Sequence, residues 1–492
     1  LTMLPKYSYW LLALAAILLS RFVGMAIFPF ADTTEPRYAE IARLMVETGD
    51  WITPWFEPGV PFWGKPPLSF WSQAAAIKLF GLSEFALRLP SWLATIGMVY
   101  LTWRLALQLW GSHVARWSAL IFSSMALTYV SAGAVMTDAF LALGTTLSLV
   151  SFCLATQEQG FAWRWLFFLG LAIGLLAKGP LAAVLVGIPI VLWLLFRGGK
   201  LSDLKALPWL RGGLITAVLV LPWYVLAELQ TPGFLDYFLV GEHFRRFVVP
   251  GWAGDLYGRA HQYPRGTIWV FWLMASFPWG ILALFMLIAA TVRRRLAAKR
   301  ILNDRMTLLL LLYALGPLLL FTLAGNILWT YALPSLPFAA ILIARPVSAL
   351  SAQSWPGRLR APAAAITPLL LTSVVITVGN SLTLVKSEKS LANYYSRQSR
   401  PADSPLLYLD KLPFSARFYS QGRARAVTAE QFENMRERRE YRRYFAVIPA
   451  RWPNERITAL FGDASTGFTD RRHRLLSIQE RAVDLVPSAK GR

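Results

Sequence analysis

The chain has little of what soluble enzymes commonly use. Among 492 residues there are one cysteine and four histidines, and only 15% of residues are charged. A single cysteine, Cys153, leaves no internal disulfide pair and no thiolate metal cluster,. Set in an apolar run, it reads as a small buried hydrophobe. Acidic residues are scarce as well, with 27 Asp and Glu against 49 Lys and Arg and a formal net charge of +22. Such an excess can serve nucleic acid, but no nucleic-acid-binding motif accompanies it. The basic residues fall in short stretches between apolar runs and in the C-terminal tail,. No nucleic-acid partner is expected; anionic lipid headgroups, or an anionic lipid substrate, fit such a surface.

What is abundant is apolar sequence. Hydrophobic residues make up 56% of the chain and aromatics 14%, with a mean hydropathy of +0.46. The apolar residues come in runs near the ~20 residues that cross a bilayer as a helix. This predicts a polytopic α-helical membrane protein. The runs lie at 8–28, 87–109, 114–132, 138–156, 163–177, 180–196, 209–227, 268–291, 306–324, 329–345 and 362–384, which makes about eleven spans within a range of roughly 10–13,. The first run exceeds a typical signal-peptide core and has no small-residue cleavage site after it, so it reads as a retained helix.

The connecting segments alternate in charge. One set carries Arg104 and Arg116, Arg164, the group Arg197, Lys200, Lys205 and Arg211, the cluster from Arg293 to Arg305, and Arg345, Arg358 and Arg360. The positive-inside rule makes these cytoplasmic. The other set, on the outer face, holds the stretch after the first span, the turns at Asp138, Lys178 and Asn326, and the segment 229–266. The expected organisation is a transmembrane catalytic domain over 1–385, with a first outer loop at 29–86 and a second at 229–266, followed by a soluble outer domain over 386–492. Strand-like runs at 405–409, 444–448 and 475–478, separated by charged stretches, make that tail a small α/β domain. Its 21 Lys and Arg against 12 Asp and Glu read either as a solvated basic face or as a surface for anionic lipid.

The first outer loop is the unusual stretch. From Asp32 to Trp71 it carries Asp32, Glu35, Arg37, Glu40, Arg43, Glu47, Asp50, Glu57 and Lys65 among seven Trp and Phe side chains. Thr34 ahead of Pro36 marks a helix start. Tyr38, Ile41, Ala42 and Met45 then share one face while Glu40, Arg43 and Glu47 can point to water, the pattern of a helix lying in the membrane interface. The aromatics that follow suit the headgroup level as anchors. In Lys65-Pro66-Pro67 the prolines fix the backbone beside a compact cation, which either pairs with a phosphate or snorkels. Asp138 either caps the helix it opens or serves a site, and Lys178 either completes a helix C-terminus or binds an anion.

These stretches carry a resemblance. The run DTTEPRYAEIARLMVETGDWITP, then GKPPLSFW and LFG, then Met136-Thr137-Asp138, Ala177-Lys178-Gly179-Pro180, Gly241-Glu242-His243-Phe244-Arg245-Arg246-Phe247 and Thr330-Tyr331-Ala332-Leu333-Pro334, resembles the ArnT-like GT-C glycosyltransferases. It covers about residues 8–345 in order. The resemblance implies a GT-C fold and inverting transfer of a sugar from a polyprenyl-phosphate carrier to an acceptor on the periplasmic side of a bacterial inner membrane. Lipid A receiving 4-amino-4-deoxy-L-arabinose is the leading expectation; mannosyl, galacturonosyl or other transfer to protein or glycan is the alternative. The family's usual acidic pair opens this loop, but here Thr34-Glu35 stands in its place. Either Asp32 or Glu35 is therefore expected to supply the first acid, and Asp138 the second. By the same resemblance Lys65, Arg37, Lys178 and Arg246 contact the carrier phosphate, and Tyr38, Glu242, His243 and Tyr331 bind substrate. Relatives of the aminoarabinose type can hold a divalent metal through a Glu before the Lys-Pro motif. Gly64 occupies that position, which leaves His243 as a weak metal candidate and no certain cofactor. A different class, a non-catalytic transporter, is disfavoured by the lack of inverted repeats and of paired broken helices.

Overall fold

The computed structural model describes residues 8–196, 199–258, 261–292, 304–354, 385–398, 404–438, 440–441, 443–462 and 464–479. The expected span at 362–384 and most of the basic stretch 293–305 lie outside these residues. Two compact units emerge, one of residues 1–28 and 41–376 and one of residues 29–40 and 377–492. Residues 29–40, which the sequence reading counts with the first outer loop, thus group with the C-terminal residues.

The first unit is a helical bundle. Helix α1 (Ser8–Ile27) is apolar for a full bilayer crossing, yet contains Arg21. Its guanidinium donates to the carbonyls of Val130 and Gly133, at the end of a short helix, α5 (Ala126–Ser131). A charge inside a span is thereby matched to backbone acceptors that a helix terminus leaves over. Gly133 leaves room for this guanidinium, since a Cβ at this position would meet Arg21 Nε at 2.2 Å and displace it. Arg88 does the same for α1, donating to Met25 O and Phe28 O.

Between these, α2 (Thr34–Thr48) and α3 (Leu68–Phe80) belong to the first loop, and α4 (Glu84–Ser124) follows. Helix α4 is broken at Gly111, where φ is +82°, so the expected runs 87–109 and 114–132 are its two arms and α5. Helices α6 (Asp138–Thr156) and α7 (Phe161–Lys178) pack backbone to backbone, since a Cβ on Gly144 would meet Gly174 N at 2.5 Å and Gly170 O at 2.6 Å. Small residues in this spacing are how membrane helices approach closely. Helix α8 (Leu181–Leu195) rises only ~22 Å at 1.5 Å per residue,, and α9 (Trp209–Gln230) returns across the bundle.

Among the described residues six helices are long and apolar enough to cross a membrane, and a seventh span forms if Thr267–Ala275 and Trp279–Val292, bent by 111°, are taken together. The expectation of about eleven spans counted apolar length alone. It included α8, both arms of the broken α4 and the run outside the described residues.

The first loop departs from the expected interfacial helix. Helix α2 forms where Thr34 and Pro36 place it. However, Glu40 and Arg43 are buried together with Tyr38, Ile41, Ala42 and Met45. Only Glu47 remains largely exposed, and it takes Arg43 at 2.6 Å. The aromatics pack inward as well. Phe62 and Phe70 are buried, and Phe62 packs at a tilt against Tyr257 with ring centroids 4.6 Å apart. The half-buried Trp71 donates to Trp51 O and Trp63 Nε1 to Thr231 Oγ1.

The second unit is an α/β sandwich. Strands β3 (Leu406–Tyr408), β4 (Ala424–Ala426) and β5 (Arg443–Pro449) run parallel in the order β4-β3-β5, and β7 (His473–Gln479) and β6 (Ser465–Thr469) continue the sheet antiparallel. A small hairpin, β1 (Trp55–Glu57) with β2 (Val60–Pro61), lies in the first unit. Along β5, Phe445 and Val447 enter one apolar cluster while Tyr444, Ala446 and Ile448 enter another, so this central strand is buried on both faces,. The expected strands are present, and β4 and β6, too short or too polar to stand out, complete the sheet.

Candidate active site

A cleft in the first unit is lined by Lys65, Lys178, Glu242, His243, Arg246 and Tyr331, with Asn326 and apolar side chains completing the wall. Local structure brings these together from five segments. Lys65 precedes α3, with Pro66 and Pro67 restricting its backbone,. Asp138 opens α6 and Lys178 closes α7, so an antiparallel pair presents an acid and a base at the same end. Glu242 and His243 lie in a π-helical segment (Asp236–Arg245), a form found mostly where function requires it,. Arg246 follows that segment, and Tyr331 comes from a 3-10 turn (Trp329–Ser335).

Glu242 is the hub. Its Oε2 accepts from Lys65 Nζ at 3.0 Å, and Arg246 Nη1 reaches Oε1 and Oε2 at 2.9 and 3.0 Å. Tyr237 donates to Oε1 at 3.3 Å. Burial on its own would raise this carboxyl, but the Lys65 and Arg246 charges outweigh burial and hold it below the usual carboxylate range,. Arg246 also pairs with Asp255 Oδ2 at 3.2 Å. Asn326 fixes the chain just beyond, donating to Arg246 O and Val249 O and accepting from Gly251 N. Burial pushes Tyr257 up to about 12 and Tyr237 upward too, so both phenols stay neutral donors.

On the other wall Lys178 Nζ lies 2.7 Å from Asp138 Oδ1 and 4.9 Å from the centroid of the Tyr331 ring. Asp138 is the first residue of its helix, and its carboxylate meets the Lys178 ammonium. Lys178 is itself buried, at 7% exposure, rather than a solvated helix end.

His243 faces two backbone carbonyls, Phe238 O at 2.7 Å from Nδ1 and Lys178 O at 2.9 Å from Nε2. Burial pushes its pKa down, so the neutral ring donates to one of the two,. With both nitrogens against carbonyls and both Glu242 oxygens held by donors, this donor set does not suit a divalent metal. Among the described residues no group of three or more His, Cys, Asp or Glu is gathered as a metal site. At Gly64 a Cβ would meet the Phe62 ring at 2.9 Å, so a Glu there would require that ring to move.

The remaining expected residues lie in the second unit and do not line this cleft. Both Asp32 oxygens are taken by Ser415, Oδ1 by its N–H at 2.8 Å and Oδ2 by its hydroxyl at 2.5 Å. Burial raises the Asp32 carboxyl, and the Ser415 bonds oppose that rise. Arg37 lies over the rings of Tyr38 and Phe414, 5.1 and 5.6 Å from their centroids. Glu35 sits in the first turn of α2, where a negative charge suits the helix N-terminus,. Sequence reasoning missed Asp255, Tyr237 and Asn326. The signal for the first was an acid near the basic motif in the segment 229–266; the others reveal themselves only through hydrogen bonds.

A protein-family profile described as dolichyl-phosphate-mannose-protein mannosyltransferase matches residues 8–238. Among curated proteins, undecaprenyl phosphate-alpha-4-amino-4-deoxy-L-arabinose arabinosyl transferase of Aeromonas salmonicida is 32% identical over 360 residues, covering 70% of this chain and 61% of that protein. A Pseudomonas fluorescens protein of the same description is 32% identical over 64% of this chain and 53% of its own length. The chain thus spans somewhat more than half the length of the curated relatives it matches. Among solved structures, ArnT from Cupriavidus metallidurans bound to undecaprenyl phosphate superposes with a TM-score of 0.75 at 18% identity, over 95% of this chain and 97% of that one. A multi-pass helical unit and an α/β unit, matched over 95% of the chain in that structure, give the chain the GT-C fold. Within that fold the chain is similar to the ArnT-like arabinosyl transferases over 70% of its length.

Proposed function

We propose that the chain is an inverting glycosyltransferase that takes a sugar from a polyprenyl-phosphate carrier, with 4-amino-4-deoxy-L-arabinose transfer to lipid A as the leading reaction. It acts from a bacterial inner membrane with the cleft facing the periplasm. The observation that carries this reading is the convergence of Lys65, Lys178 and Arg246 on one small cleft beside buried carboxylates. Three fixed cations suit a phosphate group, and the names of the relatives supply the carrier and the sugar,.

In the reaction the bond between the anomeric carbon and the carrier phosphate oxygen breaks, its electron pair staying on the phosphate, and a bond to an acceptor oxygen forms. The anomeric carbon gains positive charge as the phosphate gains negative charge. Lys65, Arg246 and Lys178 stabilise the phosphate pole. Asp138, oriented by Lys178, serves the sugar pole and takes the proton of a hydroxyl acceptor; an acceptor phosphate oxygen carries none, and Asp138 then only orients.

A second reading, transfer to a protein hydroxyl, is favoured by the family description. Mass spectrometry of lipid A from cells with and without the protein separates them. An added pentosamine on a lipid A phosphate, dependent on the protein, supports the leading reaction; unchanged lipid A together with a glycosylated protein supports the second. With a polyprenyl-phosphate donor, Asp138→Asn should insert normally and lose at least ~100-fold in transfer to a hydroxyl acceptor, in the range general-base catalysis contributes. Full activity would remove Asp138 from the chemistry.

A further inference from the structure

The cations of the cleft are already matched. Lys65, Lys178 and Arg246 stand against Glu242, Asp255 and Asp138, each pair within 3.2 Å. The acids Glu242 and Asp255 are almost enclosed, with 4% and 8% of their side chains exposed, while Lys65 and Arg246 reach the cleft at 19% and 17%. His243 adds no charge, since burial keeps its ring neutral. The nearby titratable groups, Tyr237 on the same segment and Tyr257 and Tyr331 on others, are phenols. The cluster therefore sums to zero when empty, and Glu242 stays ionised because its cations hold its carboxyl low.

Net neutrality matters because transfer changes the charge of the bound phosphate. The donor is a phosphodiester with one negative charge. Once the anomeric C–O bond breaks with its electrons on phosphate, the carrier is a monoester that approaches two negative charges above its second pKa of about 6. A site holding three bare cations would favour the product over the donor and retain it. Resting on the reading of this cleft as the carrier-phosphate site, we infer that Glu242 and Asp255 are specificity-determining counter-charges that weaken the cleft's hold on the monoester product relative to the phosphodiester donor, and so set the rate of product release. They act from behind Lys65 and Arg246 and also orient them.

Coulomb energies scale with the product of the charges, which gives this role a signature that a purely structural one lacks. Removing one buried negative charge should tighten a dianion by about the square of the factor for a monoanion on the same lipid. The test measures equilibrium binding of undecaprenyl phosphate and of its methyl ester, a phosphodiester with the same tail, to the purified full chain in lipid nanodiscs at pH 8. Wild type, Glu242→Gln and Asp255→Asn are compared. Gln keeps the side-chain shape and one acceptor oxygen, which at the Oε2 position still serves Lys65 and Arg246, and Asp255→Asn makes the same charge change from the other side of Arg246 should Glu242→Gln fail to fold.

Each variant should tighten the methyl ester by about threefold and undecaprenyl phosphate by about tenfold, the squared relation of paired charges. In turnover, product inhibition should strengthen and kcat fall while the donor KM falls less than the product inhibition constant. Equal factors for the two ligands, or weaker binding of undecaprenyl phosphate, would overturn the inference. A wild-type chain that binds neither ligand would instead overturn the reading of the cleft, and this inference with it.

Discussion

Lys65 and Arg246 share one carboxylate, so each is held in place before any substrate arrives. Pre-orientation lowers the entropy cost of gripping a phosphate with long side chains. Lys65 lies closest to the rigid Pro66-Pro67 turn and is the simpler probe. Lys65→Ala should weaken undecaprenyl phosphate binding by roughly tenfold or more, the worth of a charge-assisted hydrogen bond of ~1.5–3 kcal/mol. Binding at wild-type strength would take Lys65 out of the site. His243 makes a different kind of prediction. Its folded pKa lies below that of a free histidine, chiefly through burial, so the unfolded chain binds more protons as pH falls,. The stabilisation is complete above the unfolded pKa near 6.5 and is lost as pH falls through it toward the folded value. Thermal stability of the wild type should accordingly fall as pH drops below about 7.5. His243→Gln should flatten that component, and an identical slope in the variant would show that His243 is not its source.

At the scale of elements, the site depends on where helices stop. Lys178 is the last residue of α7, and the chain turns at once through Gly179, with φ at +67°, into α8. A Cβ there would meet the Phe238 ring at 2.6 Å and His243 Cε1 at 3.2 Å, so the turn and the π-helical segment fit only with glycine between them. Gly179→Ala should cost about 1–3 kcal/mol through strain and overpacking. Transfer should fall by more than the loss of folded protein explains, because Lys178 and Glu242 would both shift; transfer proportional to folded protein would refute this coupling. The sequence makes part of this legible. Asp138, Lys178, Glu242, His243, Arg246 and Tyr331 stand at breaks between apolar runs, where a polar residue next to a span is expensive, and that cost draws attention to them. What escapes a linear reading is pairing. That Lys65 would meet Glu242, 177 residues away, follows from how α3 and the π-helical segment meet, and no local pattern encodes it. The burial of Glu40 and Arg43 escaped for a related reason: an amphipathic pattern says which face is polar, but not whether protein covers that face.

For the whole molecule the governing question is which face of the membrane the cleft opens to. Hydropathy locates apolar length well, and α1, α6, α7, α9 and Arg305–Thr322 follow their predicted runs to within a few residues. It is blind to bends, which is why the 111° break before Trp279 passed as one straight span at 268–291. A bent pair that enters and leaves on one side changes the parity of the crossings, and with it the side assigned to everything after it. The charge pattern offers an independent vote. Arg197, Lys200, Lys205 and Arg211 between α8 and α9 would place that turn in the cytoplasm by the positive-inside rule, which puts the opposite ends of α8 and α9, including the Lys178 end of the cleft, outside,. The same rule applied to the basic residues from Arg293 to Arg305 sets the far end of the bent pair inside,. Both assignments agree with the proposed outer opening of the cleft, and with the crossing expected at 362–384 the C-terminal residues are expected outside as well,. An alkaline phosphatase reporter fused near residue 400 should therefore be active, because that enzyme needs an oxidising compartment to form its disulfides, and the same reporter placed in the turn after Leu201 should be silent. Activity at the second position with silence at the first would invert the whole assignment and move the cleft to the cytoplasmic face, where a periplasmic lipid A acceptor could not reach it.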